Sequence, residues 1–306
     1  MINLNIHDET SRLEAVVLGI PHNSGGIPSV ADAYDPKSVE HILAGTYPKE
    51  EDMVLEMEAF NQVFIKYGIK VYRPDVLENC NQIFTRDIAF VIGDYLIKSN
   101  ILPKREGELK AIDYVLNQID AEKVIRLKDD VHIEGGDVML WGEYIFVGTY
   151  RGADYPEIIT ARTNQPGVDF LIDFFPNKKV VSFNLRKSNT IARDNALHLD
   201  CCFQPIGRDK AIIHKEGFLE EKEYQFLVDL FGMENLFHIS SDEMYYMNSN
   251  VFSISPEVVV SERNFTRLNA WLRKNGFHVE EIPYAEIAKQ EGLLRCSTLP
   301  LRRKND

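Results

Sequence analysis

The 306-residue chain is 44% hydrophobic and 26% charged, the balance of a folded globular protein, which excludes disordered and low-complexity classes. Its 34 Lys and Arg against 47 Asp and Glu leave a net charge of −13, which disfavours nucleic acid and anionic membrane as partners and favours small cations. Four cysteines (Cys80, Cys201, Cys202 and Cys296) are too few for a disulfide scaffold and lack zinc-site spacing, and no run reaches the roughly 18 apolar residues of a membrane span.

The chain opens with MINLNIHDETSRLEAVVLG, which has no basic segment followed by a long apolar run, so a cytoplasmic protein with reduced thiols is expected. Within it, LEAVVLG from Leu13 predicts a strand. EEDMVLEMEAFNQVFIKYG then sets Met53, Val54, Met57, Phe60, Val63 and Phe64 on one helical stripe closed by Gly68, and IKVYRP follows as a strand. Four later stretches each read strand, turn, strand: IAFVIGDYLIKS from Ile88, VMLWGEYIFVG from Val138, FQPIGRDKAIIH from Phe203 and VFSISPEVVVS from Val251. Helices are predicted from Arg105 (REGELKAIDYVLNQI) and from Leu219 (LEEKEYQFLVDLFG). Near the end FTRLNAWLRKNG closes at Gly276 and FHVEEIP follows, repeating the earlier helix and strand. With Gly68 set on Gly276, Phe60 falls on Leu268, Asn61 on Asn269, Lys66 on Lys274 and Val71 on Val279. Units recurring every 40 to 60 residues or so, without a Pro/Gly/Ser-rich linker, point to a repeat architecture in one domain over 1–306.

Four stretches carry polar residues that an apolar strand does not need. In NQIFTRD, Asp87 stands at the mouth of a hairpin; read as extended chain, it shares a side with Thr85 while Phe84 opposes Arg86. HIEGGDVML puts Glu134 and Asp137 beside two glycines, a backbone that a ligand or another chain can approach closely. In HLDCCF, extended chain would project His198 and Asp200 from one face, a pair suited to binding or proton transfer. LLRCSTLPLRR contains Cys296, and its leucines mark it as docked, not frayed; Arg295, Arg302 and Arg303, or a bound cation, would favour a thiolate there. Taken singly, each stretch also has a structural explanation: an acid capping a strand, a turn, a half-buried histidine with its partner, a packed thiol.

Together and in this order, FTRD, IEGGD, HLD and CSTLPL resemble the guanidine-modifying superfamily of arginine deiminases, dimethylarginine dimethylaminohydrolases and amidinotransferases, most of all the deiminases. The resemblance spans nearly the whole chain. It implies a five-fold pseudo-symmetric α/β propeller, the pentein fold, built of ββαβ-type repeats around a central site, in agreement with the hairpin repeats. It also implies that Asp87 and Asp200 grip a substrate guanidinium and that Cys296 attacks its carbon. His198, oriented by Glu134, would protonate the leaving nitrogen and later activate water, without metal or cofactor. Asn81 and Phe84 match positions lining the substrate, and Arg105 and Arg151 match arginines holding a substrate carboxylate. The chain departs from the deiminase pattern in being short, in Glu291 standing where deiminases tend to carry an arginine, and in an RR after CSTLPL like that of amidinotransferases.

The expected activity is therefore hydrolysis of arginine or a close guanidino compound, releasing ammonia and citrulline, or ornithine after a second step. The alternatives are amidino transfer to an amine, dimethylarginine hydrolysis, or a non-catalytic binding module, whose signature would be a missing nucleophile, histidine or acid. A small cationic guanidino compound is the expected partner, and a homo-oligomer is compatible with the sequence.

Overall fold

A computed structural model describes residues 1–304. Strands β1 (Leu13–Leu18) and β2 (Lys70–Tyr72) begin a series of three-stranded sheets. The next comprises β3 (Ala89–Ile92), β4 (Tyr95–Lys98) and β5 (Val124–Arg126), followed by β6 (Val138–Trp141), β7 (Tyr144–Thr149) and β8 (Lys179–Asn184). Then come β9 (Phe203–Ile206), β10 (Lys210–Ile213) and β11 (Leu236–His238), and β12 (Phe252–Ser255), β13 (Val258–Glu262) and β14 (His278–Ile282). Finally β15 (Thr298–Arg303) returns to the first sheet, so the five sheets close as a pseudo-symmetric α/β propeller.

Every sheet repeats one pattern. The inner strand runs antiparallel to the middle one, which runs parallel to the outer one. Burial follows this order: β3 and β9 are buried along their whole length, whereas β2 and β5 are half-buried or exposed. In the first sheet the inner place belongs to β15, which pairs Val17 with Leu299 and Leu18 with Thr298. The two ends of the chain thus close the ring.

Both predicted helix-then-strand units are present, Glu50–Lys66 leading to β2 and Thr266–Lys274 leading to β14. Gly68 and Gly276 end them at φ of 67° and 86°, where a side chain is disfavoured. Phe60 stacks 4.5 Å from Phe64 and meets Phe252 and Tyr284 edge-on, tying the first helix to the last sheet. The stretch from Arg105 differs from its reading: it is 3₁₀ over Pro103–Ile112 and α-helical only over Asp113–Leu116. A helix over Gln165–Phe174, capped by Asn164 through the Gly167 N–H, had no counterpart in the sequence reading.

Closing the ring buries a charged group at its centre. Arg295 donates to both carboxylate oxygens of Glu9 at 3.2 Å, to Asp200 at 3.0 Å, and to the carbonyls of Gly135, Gly136 and Val138. Burial alone would raise the pKa of Glu9, but the guanidinium groups of Arg295 and Arg86 hold it at about 2. Because that value lies below the unfolded one, Glu9 stabilises the fold above about pH 4.5, and this contribution is lost as pH falls toward 2. Replacing Glu9 with Ala should cost about 3–5 kcal/mol at neutral pH. In urea titrations the gap between variant and wild type should narrow at about pH 3, where wild type loses the same interaction.

Candidate active site

The segments entering the five inner strands converge on one buried cluster. Asp87, Asn250 and Cys296 each stand two residues before a strand, at Ala89, Phe252 and Thr298. The turn Gly135–Asp137 that follows Glu134 precedes β6, and the turn Leu199–Cys201 that follows His198 precedes β9. Two local readings are corrected here. Thr85–Ile88 is a single helical turn, held by the Thr85 hydroxyl on the carbonyls of Val17 and Ser297. Likewise Leu199–Cys201 is a 3₁₀ turn, so strand alternation is not what aims His198 and Asp200. Instead the Leu199 N–H donates to Asp137 at 2.9 Å, and the Lys187 ammonium binds the carbonyls of Ala196 and Leu197. The glycines of IEGGD accommodate chain, as anticipated: a Cβ on Gly136 would lie 2.6 Å from the His198 ring.

Asp87, Glu134, His198, Asp200 and Cys296 are all brought together, none more than 3% exposed. The Cys296 Sγ lies 3.5 Å from Asp200 Oδ2 and receives the Asn250 amide N–H at 3.2 Å. His198 Nε2 is 2.8 Å from Glu134 Oε2, and Nδ1 faces Asp87 Oδ1 at 3.9 Å. Glu134 also receives Arg162 at 3.2 Å, and Asp87 Oδ2 receives Arg105 at 2.9 Å. The other oxygen of Asp87, Oδ1, is buried without a hydrogen-bond partner among the described residues. By spacing, Asp87, Glu134 and His198 could ligate a cation. Arg105 and Arg162 already bring positive charge to these carboxylates.

Electrostatics assign distinct states to these groups. Burial, then the carboxylates of Asp200 and Asp87, push the Cys296 thiol well above its ordinary pKa. No flanking arginine relieves it: Arg295 pairs with Glu9 and Asp200, Arg302 with Glu14 at the surface, and Arg303 donates to backbone carbonyls. Burial disfavours charge on His198, yet Asp87, Asp137 and Glu134 keep its pKa above the usual value. Burial likewise opposes Glu134, but Arg162, His198 and Arg105 hold it well below the carboxylate range. Asp87 is raised, by burial and by Glu134 against the pull of His198 and Arg105.

The residues read as substrate-lining divide. Asn81 hydrogen-bonds Gln290 at 2.8 Å and lines a cavity of about 570 Å³ that also touches Tyr34, Asp35, Arg105 and Glu108. Phe84 packs under the segment leading to Cys296, where a Cβ on Gly292 would come 2.3 Å from its ring. Arg105 reaches from this cavity to Asp87 but is committed to carboxylates, meeting Glu108 through two bonds of 2.8 Å. Arg151 is not brought to the cluster: it is partly exposed and paired with Glu220 and Glu223. An arginine not singled out from the sequence, Arg162, does reach it: fully buried, it also donates to the Tyr34 carbonyl at 2.8 Å. Its signal was an arginine in ITARTNQP just before the helix cap Asn164. Glu291 is buried at φ 58°, bonded to Asn195 at 2.7 Å, and burial followed by Asp35 raises it well above the usual range.

Glu134→Gln should lower the His198 pKa, since it removes a carboxylate that favours the imidazolium. The ring would then lose its proton at lower pH in an NMR titration, and any turnover depending on it should fall on the order of a hundredfold, its alkaline limb moving the same way.

Residues 47–303 match the family model described as N,N dimethylarginine dimethylhydrolase, eukaryotic. The uncharacterized protein YkgA of Bacillus subtilis is 32% identical over 225 residues, covering 72% of this chain and 70% of its own length. An arginine deiminase of Bacillus cytotoxicus is 26% identical over 271 residues, and the match spans 74% of this chain but 62% of the deiminase. Two solved structures share the fold. The N-terminal domain of ArgZ, an arginine dihydrolase from the ornithine-ammonia cycle in cyanobacteria, superposes with a TM-score of 0.77 at 18% identity, covering 94% of this chain and 98% of that one. Inosamine-phosphate amidinotransferase StrB1 from Streptomyces griseus gives 0.75 at 16% identity, covering 100% and 98%.

Proposed function

The chain belongs to the N,N dimethylarginine dimethylhydrolase family, and from that premise we propose that it hydrolyses arginine or a close guanidino compound at the guanidinium carbon, with Cys296 as nucleophile. The observation that carries this reading is the buried Asp87 Oδ1, which lacks a hydrogen-bond partner among the described residues and faces the same centre as a thiol that burial and two carboxylates push well above its ordinary pKa. One planar cation answers both conditions. Its N–H groups supply donors to Asp87 and Asp200, and its charge offsets theirs, so that the thiol can lose its proton.

The thiolate then adds to the guanidinium carbon, forming an S–C bond while the C=N electron pair moves to nitrogen. His198, whose imidazolium form Asp87, Asp137 and Glu134 favour against burial, gives a proton to the departing nitrogen, and the C–N bond breaks to leave an amidino-thioether on Cys296. The imidazole, neutral after that transfer, takes a proton from water. The hydroxide adds to the same carbon, the C–S bond breaks to restore the thiolate, and the added hydroxyl gives up its proton to solvent as the ureido C=O forms. From arginine this yields ammonia and citrulline; a second hydrolysis, now at the neutral ureido carbon, breaks both remaining C–N bonds and releases ornithine, ammonia and carbon dioxide. The family match makes N,N-dimethylarginine the second substrate to try, with dimethylamine leaving in place of ammonia.

Purified protein incubated with arginine or N,N-dimethylarginine, with and without glycine or lysine as acceptor, should give citrulline or ornithine by mass spectrometry in the absence of an acceptor. Products that require an amine would replace hydrolysis with amidino transfer. Cys296→Ser should lower turnover by more than about a hundredfold and abolish covalent labelling.

A further inference from the structure

The five-fold arrangement supplies a sixth polar residue to the site, from the fifth entering segment. Asp87 enters from before β3, Glu134 from before β6, His198 and Asp200 from before β9, and Cys296 from before β15. Before β12 the corresponding segment is MNSN, and Asn250 occupies the same place relative to its strand as Asp87 and Cys296 do to theirs. Its side chain is fully buried. The carboxamide is used on both sides. Oδ1 accepts the backbone N–H of Arg295 at 2.9 Å and of Cys296 at 3.2 Å, while Nδ2 donates to Cys296 Sγ at 3.2 Å and to the Asp200 carbonyl at 3.4 Å. The remaining side chain bonded to Sγ is Asp200, an acceptor that favours the protonated thiol.

We propose that Asn250 is a catalytic residue of this site: its amide N–H stabilises the Cys296 thiolate, and its carbonyl fixes the backbone that aims the sulfur. This rests on Cys296 being the nucleophile. The physical ground is an asymmetry. An N–H aimed at sulfur gains strength when the sulfur becomes an anion, because hydrogen bonds to charged acceptors are the stronger ones and the site excludes water. The bond therefore favours ionisation, opposing Asp200 and Asp87, and it favours return of the thiolate as leaving group when the thioether is hydrolysed. Asparagine suits the position because it offers donor and acceptor on one rigid plane without adding charge beside two carboxylates.

The test needs no substrate. Full-length Asn250→Ala and Asn250→Ser are alkylated with iodoacetamide at mildly alkaline pH, and the modified Cys296 peptide is followed by mass spectrometry, with the urea-unfolded proteins as reference. Loss of the donor should slow alkylation of folded Cys296 by about tenfold, a factor typical of a hydrogen bond to an anion, while the unfolded rates agree. A purely structural role moves the rate the other way, since a loosened segment exposes the thiol. Alkylation at or above the wild-type rate in a folded variant would overturn the proposal. Ser retains a hydroxyl for the backbone N–H groups and is read where Ala does not fold. Where turnover is present, the loss should lie in kcat, with KM changed less than about threefold. Wild-type protein inactive on every guanidino compound would defeat the functional reading and leave the alkylation result readable.

Discussion

One buried guanidinium organises this molecule. Arg295 draws Glu9 from ahead of the first strand, three carbonyls from the segment entering β6, and Asp200 from the segment entering β9 onto a single side chain. Desolvating such a charge costs several kcal/mol unless its donors are satisfied and its charge is matched. The ring must therefore close with these segments in place, which leaves Cys296, the next residue, with a position fixed relative to Asp200. A carboxylate that completes the central charge balance also touches the proposed nucleophile, so the fold's buried ion pair and the candidate site share Asp200.

The remaining electrostatics follow from how few cations reach the cluster. Arg162, His198 and Arg105 hold Glu134 well below the carboxylate range against burial, and Asp87, Asp137 and Glu134 in turn keep the His198 pKa above its usual value. Among the described residues Asp87 Oδ1 accepts no hydrogen bond, His198 Nδ1 standing off at 3.9 Å, and burial with Asp200 and Asp87 pushes the thiol up. On the proposed mechanism the His198–Glu134 pair is set before substrate arrives, whereas the Cys296 thiol waits for charge that the substrate brings. That order would confine the reactive sulfur to complexes with the right ligand, because a neutral thiol is a poor nucleophile and the bound guanidinium both activates and accepts it.

Much of this was legible in the sequence because the repeats are written in hairpins and helix caps. The four hairpins and the duplicated helix-strand unit came from periodicity, and both survive as sheets with the expected middle strands. Asp87, His198 and Asp200 were picked out for polarity next to apolar strands, and the fold brings them together, but through turns whose hydrogen bonds come from Val17, Ser297 and Asp137. Contacts of that range leave no local trace. Arg151 and Arg162 show the same limit. Each follows the β7 strand, and what separates them is that Arg151 meets Glu220 and Glu223 on the outside while Arg162 meets Glu134 within. Asn250 carried no unusual chemistry in MNSNVF, and its role emerges only when its strand is aligned with the others. Among the described residues no helix is long and apolar enough to cross a membrane.

The claim on which the account turns is that Cys296 stays neutral until a guanidinium cation reaches Asp87 and Asp200. Ultraviolet thiolate absorbance, taken as wild type minus Cys296→Ser at neutral pH, measures this directly when a non-hydrolysable guanidinium ligand is titrated in. The account predicts no thiolate signal in the free protein and one thiolate per chain at saturation. A thiolate already present without ligand, or a saturated complex that shows none, would contradict it.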